Sequence, residues 1–589
     1  MKQHFFRKRF VPCMALAGAL ALAGCTDNDY DFNGIDMTVG FGGDGLTLPV
    51  SSTDTIKLAD VLELDGSECV VVKENGDYVF EQTGDDVEPA HPEIAVITVS
   101  QNTMETGRIP VTIGPVSATT GEFDLPTVGG EIVTFTYSGD KPDEVVSLDH
   151  VGVDADLSLD ISFPSALQID GVSIERLTLS LPEYMELGGI SSSSSNYTVE
   201  GSRIVFSNVP AASGLHFSAS VTGLAFNADG GALGSIGVDG SRILLDGKIK
   251  AELDIKVGSS VSLDHQVSGE ITANVAFSDI NLTSATGTFN PSIDLDNLGS
   301  VNITGVPDFL TDGDVVVDLY NPQIRLSLQN DMDVQGFVSG TITAIKEGMD
   351  SPVITVDDIP VKANGTTNVC ICRRDEGFAG DGYDVVKVIP NLSDLIRTIP
   401  DRIEFDADVR ADASTPGSFL FGHKYTIQPS YSVEAPITFD EDARIVYTDT
   451  IDDFNDDIED IELADGAYLT LNTTIENRVP AYLSVNVEPV DVNGNVMGED
   501  EITIKVTPET VQASEDGVTS VDTPLTIEIR QVKQDALKRL DGIAFRIEGG
   551  ASDDGQNPVT GETLNSQKHF LIARDIVVKL VGKVIGDFN

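Results

Sequence analysis

The stretch Leu244-Leu-Asp-Gly-Lys-Ile-Lys-Ala-Glu-Leu-Asp-Ile-Lys-Val257 decides the fold. From Lys248 onward, every second residue is charged and every residue between is apolar. A helix needs its apolar residues three and four apart, whereas a strand with one wet and one dry face needs them two apart. The same period of two recurs at 94–99 (Ile-Ala-Val-Ile-Thr-Val), 152–162, 403–409 (Ile-Glu-Phe-Asp-Ala-Asp-Val) and 468–475 (Tyr-Leu-Thr-Leu-Asn-Thr-Thr-Ile). Between the runs stand turn pairs: Asp65-Gly66, Asn75-Gly76, Asp312-Gly313, Asp465-Gly466 and Asn493-Gly494.

Helical segments are few and short: Thr55 to Leu64, a capped turn at Ser393 to Arg397 before Pro400, and Lys533 to Leu540. No βαβ rhythm appears, which argues against Rossmann and barrel enzymes. The pattern predicts an all-β chain of several antiparallel β-sandwich domains in series. Suggested units are 33–100, 105–245, 246–385 and 400–589, with Ser191–Ser195 as an exposed loop.

The N-terminus reads differently. Lys2, Arg7, Lys8 and Arg9 precede an apolar run from Phe10 to Ala23. That run is too short for a membrane span, which takes about 20 residues, and fits a secretory signal peptide over 1–24. Leu22-Ala23-Gly24-Cys25 resembles the bacterial lipobox, which implies that the Cys25 thiol takes a diacylglycerol before cleavage in front of it. Several acyl chains, at about 0.8 kcal/mol per buried methylene, would hold such a protein to a membrane permanently. Residues 25–32 form an acidic tether, and Asp27, Asp29 and Asp31 in it resemble the surface-export signal of Bacteroidetes lipoproteins. The resemblance implies an outer-membrane address facing the medium.

Without residues 1–24, 32 bases stand against 95 acids, a charge of −63. Such a surface repels nucleic acid, which is excluded as a partner. An apolar fraction of 41% argues against wholesale disorder. Beyond Cys25, the mature chain keeps only Cys69, Cys370 and Cys372, so it is no disulfide scaffold. Strand periodicity puts Cys370 and Cys372 on one face as small buried residues, and pairing of either with Cys69 stays open. Tryptophan is absent, which weakens but does not end a glycan-binding reading, since Tyr184 or Tyr197 could form a stacking platform.

An internal echo links Val315–Leu328 to Tyr468–Val485: each has a strand, an Asn followed closely by Pro (Asn321-Pro322; Asn477 and Pro480), and a second strand. With the turn at Asp491-Val-Asn-Gly494, this resembles the β-sandwich of plant late-embryogenesis proteins over about thirty residues in each place. Two related domains and plain β convergence both account for it.

No His-Glu-x-x-His, Gly-x-Ser-x-Gly, Gly-x-Gly-x-x-Gly or P-loop occurs. Asp149-His150 and Asp264-His265 are strand neighbours that point opposite ways. Carboxylates are too abundant to single out a glycosidase pair. Oxygen ligands suit calcium, and the acid-dense run holding Asp452, Asp453, Asp456 and Asp457 offers an incidental Ca²⁺ site; Asp29 to Gly34 matches only the first half of an EF-hand loop. Asp54-Thr55-Ile56 and Asp449-Thr450-Ile451 resemble Bacteroidetes O-glycosylation acceptors. No other cofactor is implied. The expectation is a lipid-anchored surface protein that binds a glycan or surface-protein partner without catalysis. A fimbrial component and a β-fold glycan hydrolase are the competing readings.

Overall fold

The computed structural model describes residues 39–41, 46–49, 56–57 and 69–586, apart from 85, 100–103, 118–120, 229–230, 296–298, 307–309, 311–313, 379–380, 453–460, 464–465, 467, 554–556 and 582–583. The described elements are almost all antiparallel strands, gathered into three sandwiches. The N-terminal segment includes β1 (Leu46–Pro49), β2 (Tyr78–Thr83) and β3 (Met104–Ile113) among shorter strands.

The first body follows as β4 (Val128–Asp140), β5 (Val145–Ser162), β6 (Val172–Ser180), β7 (Arg203–Val209), β8 (Leu215–Ala225), β9 (Arg242–Val257) and β10 (Val267–Phe277). The second is β11 (Ser300–Asn302), β12 (Gln323–Asn330), β13 (Gly336–Ile345), β14 (Val353–Val361), β15 (Gly365–Cys372), β16 (Arg402–Ala411) and β17 (Ile427–Pro436). The third is β18 (Arg444–Ile451), β19 (Tyr468–Asn477), β20 (Tyr482–Asp491), β21 (Thr510–Val511), β22 (Val521–Gln531), β23 (Leu540–Gly550) and β24 (Phe570–Val581).

The three bodies share one connectivity. In the first, one sheet holds β8-β5-β10-β3 and the facing sheet holds β7-β6-β9-β4. The second repeats this as β15-β12-β17-β2 and β14-β13-β16-β11. The third repeats it again as β22-β19-β24-β1 and β21-β20-β23-β18. In every body the last strand takes its outer partner from the N-terminal segment, and in reverse order. The earliest donated strand, β1, completes the last body, and β3 completes the first. The chain therefore runs back along all three sandwiches before it builds any of them. Two further short strands bring its ends together, since Val39–Phe41 pairs with Val584–Gly586, which also pairs with Ile461–Leu463.

The decisive stretch lies in β9. Ile249, Ala251, Leu253, Ile255 and Val257 are buried in the sandwich, while the intervening Lys, Glu and Asp face outward. Burying such a side chain is worth about 1.5–3 kcal/mol, so the alternation fixes the register. Phe206 of β7 and Phe217 of β8 meet edge-on across the two sheets, with centroids 6.1 Å apart. Residues 245 and 246, where the sequence suggested a unit boundary, are consecutive within β9.

The two segments of the internal echo are not equivalent in the structure, which matches a different asparagine to Asn477. Asn477, at the end of β19, corresponds to Asn330 at the end of β12, not to Asn321. Buried Asn330 accepts from Met332 N (3.0 Å) and donates to Val334 O (3.0 Å) and Lys362 O (2.9 Å). Buried Asn477 accepts from Val479 N (2.8 Å) and donates to Ala481 O (3.1 Å) and Gln512 O (2.8 Å). The backbone N–H of Lys362 donates to Thr367, and that of Gln512 to Thr523, each Thr being the third residue of its strand. In the first body a 3₁₀ turn at Ser165–Leu167 makes the same crossing. Asn321 instead holds the chain at Arg374, accepting from its N–H (2.9 Å) and donating to its carbonyl (2.9 Å).

The expected helical pieces come out smaller. Ser393 lies in a 3₁₀ turn, Leu392–Leu395, and Lys533–Leu540 contains only Leu537–Arg539 as a 3₁₀ turn. Ile56–Lys57 is a strand against Phe570 and Leu571, and the rest of Thr55–Leu64 beyond it lies outside the described residues. The turn at Asp491–Gly494 forms as expected, with Gly494 at φ 78° and its N–H on Asp491 O.

Neighbouring sandwiches are stitched together. Strand Gly417–Leu420 of the second pairs with Ile280–Phe289, which pairs with β5 of the first. Buried Asn565 of the third donates to Asp77 Oδ1 (2.8 Å) and Asn75 O (3.0 Å) in the hairpin before β2. Its own N–H donates to His569 Nδ1, and burial holds that ring neutral, its pKa pushed down to about 4.

Candidate functional site

Cys25, Asp27, Asp29, Asp31, Asp453, Asp456 and Asp457 lie outside the described residues, as does the partial EF-hand loop; Asp452 is exposed just past β18. Among the described residues, no group of three or more His, Cys, Asp or Glu converges as a metal cluster would. His150 pairs across the sheet with Glu186 (3.0 Å) and His216 with Asp160 (2.7 Å), both at exposed positions. Cys69, Cys370 and Cys372 are buried and joined in no disulfide; burial raises the pKa of Cys370 to about 12, so it is an inert thiol. Among the described residues, the most buried charge cluster, Arg373 against Asp318 (2.8 Å) and Asp440 (2.7 Å), ties the ends of the second body together.

Tyr184 is not a surface platform. It is fully buried, and its hydroxyl donates to Asp246 O (2.9 Å). Tyr197 leans on Phe206 with centroids 5.8 Å apart. Burial of Tyr184 marks the feature that the sequence did not reveal. Strands β4, β5 and β9 are longer than the sandwich is deep, at 13, 18 and 16 residues. Their overhanging halves enclose an apolar cavity of about 70 Å³ between the sheets, toward the second sandwich.

Six aromatic rings line it: Phe135, Tyr137, Tyr184, Phe226, Phe277 and Phe421. Phe421 comes from the second body, just beyond the strand that pairs across the junction. Phe135 and Phe277 stack edge to face at 5.4 Å. Gly247 makes this packing fit, because a Cβ there would lie 2.2 Å from Phe135 and 2.5 Å from the Tyr184 hydroxyl. Aliphatic walls come from Val151, Val153, Ala155, Val221 and Leu224, and no carboxylate, imidazole or thiol lines the space. All these rings except Tyr184 are only partly buried, so the cavity is open on one side. Burial, then Asp140, raises the pKa of Tyr137, with Arg242 offsetting part; burial and Asp246 do the same at Tyr184. Both hydroxyls are neutral donors at neutral pH. The second sandwich has a smaller counterpart at the same end, about 30 Å³, between Phe80, Ile303, Leu319, Ile399, Val433 and Phe439. Such a space suits an apolar group and offers nothing for acid–base or nucleophilic chemistry.

No protein-family model matches the chain, and no curated protein matches it. Among solved structures, a secreted protein from Parabacteroides distasonis ATCC 8503 is similar at 19% identity and a TM-score of 0.36, over 51% of this chain and 90% of that one. Sulfolobus turreted icosahedral virus gives 11% identity and a TM-score of 0.11, over 84% and 92%. Neither likeness is close enough to lend a role. Fold and cavity together define a multi-domain β-sandwich chain with an apolar space in its first body. Among the described residues, no helix is long and apolar enough to cross a membrane.

Proposed function

We propose that this chain is a lipid-anchored binding protein of the bacterial outer-membrane surface, held through Cys25 and without a catalytic step of its own. One observation carries the reading: the two ends of the described chain pair with each other, Val39 opposite Gly586, beside the third sandwich. The described chain thus enters the fold beside the third sandwich, and the aromatic-lined cavity belongs to the first. The donated strands also weigh against fibre assembly by strand exchange, because β1, β2 and β3 already occupy the outer edge of β24, β17 and β10.

The test is Cys25→Ala, followed by protease shaving of intact cells carrying the native chain. The variant should leave the membrane fraction, and the native chain should be digested on whole cells. Retention of the variant in membranes would overturn the anchor. Protection of the native chain until lysis would overturn surface display.

A further inference from the structure

We infer that the cavity of the first sandwich is a binding site for the apolar end of a neutral amphipathic small molecule. The inference rests on reading the chain as a binding protein and names what its first sandwich takes.

Three observations support it. The first is composition: six aromatic rings line one space of about 70 Å³ in a chain with only 6% aromatic residues. Large rings left partly exposed around an opening are costly in water unless something covers them. The second is recurrence, because the same end of the second sandwich holds a smaller apolar space of about 30 Å³. The sandwich plan leaves a gap there, and the overhang of β4, β5 and β9 enlarges it in the first body. The third is charge. Asp140 stands beside Tyr137 at the rim and Asp246 beside the buried Tyr184, and the mature chain carries −63 overall. Arg242, bonded to Ser138, and Lys141, bonded to Val145 O, keep their charges and balance those two carboxylates, so the rim holds no excess cation to fix an anionic head group. An anionic head group at this mouth meets repulsion, while a neutral one meets the Tyr137 hydroxyl and backbone. The enclosed space is smaller than the roughly 150 Å³ that holds a benzene ring, so it seats the end of a chain and leaves the rest outside.

The experiment uses the chain of residues 26–589, which keeps every described residue, in detergent-free buffer. Laurdan, a neutral dye with a dodecanoyl tail that matches the narrow space, is titrated by fluorescence and then displaced with a monoacylglycerol or with the fatty acid of equal length. Saturable one-to-one dye binding is expected, with displacement at least tenfold stronger by the neutral lipid. Ala155→Leu fills the space from its wall and should weaken dye binding at least tenfold with an unchanged or higher melting temperature. Should that variant misfold, Phe421→Asp at the rim supplies the same loss. Absence of saturable binding overturns the site, as does wild-type binding by either folded variant. Equal displacement by the carboxylate overturns the neutral class. Shaving reads the address of the chain on cells and the titration reads its pocket, so either can fail while the other stands.

Discussion

At the scale of single residues, two asparagines do the same work in two bodies. Asn330 and Asn477 each turn the chain from one sheet to the other by making three hydrogen bonds inside the protein. An amide is the side chain that fits, since it must accept from one N–H and donate to two carbonyls at once. Replacing Asn477 with Ala leaves a buried N–H and two carbonyls without partners, which should cost about 2–4 kcal/mol. Asn330→Ala should cost the same, with accelerated hydrogen exchange confined to the second sandwich. Asn472 is an exposed control whose Oδ1 accepts only from Thr526 (2.9 Å), and Asn472→Ala should stay within about 0.5 kcal/mol. Denaturant titration of the three variants decides it; equal, small losses would mean that the turns are held by packing alone. The sequence displayed both asparagines, but it could not align them. Asn321-Pro322 was the more conspicuous pair, and the partners that define the motif, Lys362 and Gln512, lie over thirty residues downstream.

At the scale of the element, strand character was legible and strand partnership was not. Alternation in β5, β9, β16 and β19 reports one wet and one dry face, which is a local property. Which strand lies beside which is settled by contacts hundreds of residues apart, and no period records them. The cavity escaped notice for a related reason: Phe135 and Tyr137 keep the strand's alternation, so only the overhang of β4 beyond the sandwich turns them into a lining. Tyr184 read as a surface ring because nothing local announces the overhang that covers it. One local mark of partnership does exist. Pro110 sits in β3 opposite Glu270, and a proline lacks the N–H a ladder needs, so that position must face the open edge. The neighbouring Val111, opposite Gly269, then turns its N–H toward β10. Val111→Pro should destabilise the first sandwich by about 3 kcal/mol. Thr112→Pro, on the open edge, should cost less than about 1 kcal/mol, and the two midpoints in urea compare them. Equal losses would show that β3 is held by its side chains and not by its ladder.

At the scale of the whole molecule, the reversed order of strand donation makes the N-terminal segment a spine. Leu46 pairs opposite Leu580, so the third sandwich cannot close until nearly the whole chain exists. Between β1 and β3 the segment also contributes core: Cys69, Tyr78, Phe80 and Ile94 are buried among residues of the other bodies. Each such large apolar group is worth about 1.5–3 kcal/mol when removed from water, and the ladders of β1 and β2 add backbone bonds. A spine of this kind should hold after its covalent link is cut. A specific protease site inserted between residues 101 and 102 separates a piece carrying β1 and β2 from the remainder, which keeps β3 for its own first body. After cleavage the two pieces should co-elute on size exclusion in native buffer and part only in denaturant. The second and third sandwiches should melt at lower temperature once the pieces are diluted, because their completion has become bimolecular. The first should change least, since the piece gives it the short strand Thr98–Val99 against Ile280 and Asn281 and Ile97 at the cavity wall. Separation of the pieces in native buffer, with all three sandwiches still folded, would mean that the donated strands are ornaments on bodies already complete.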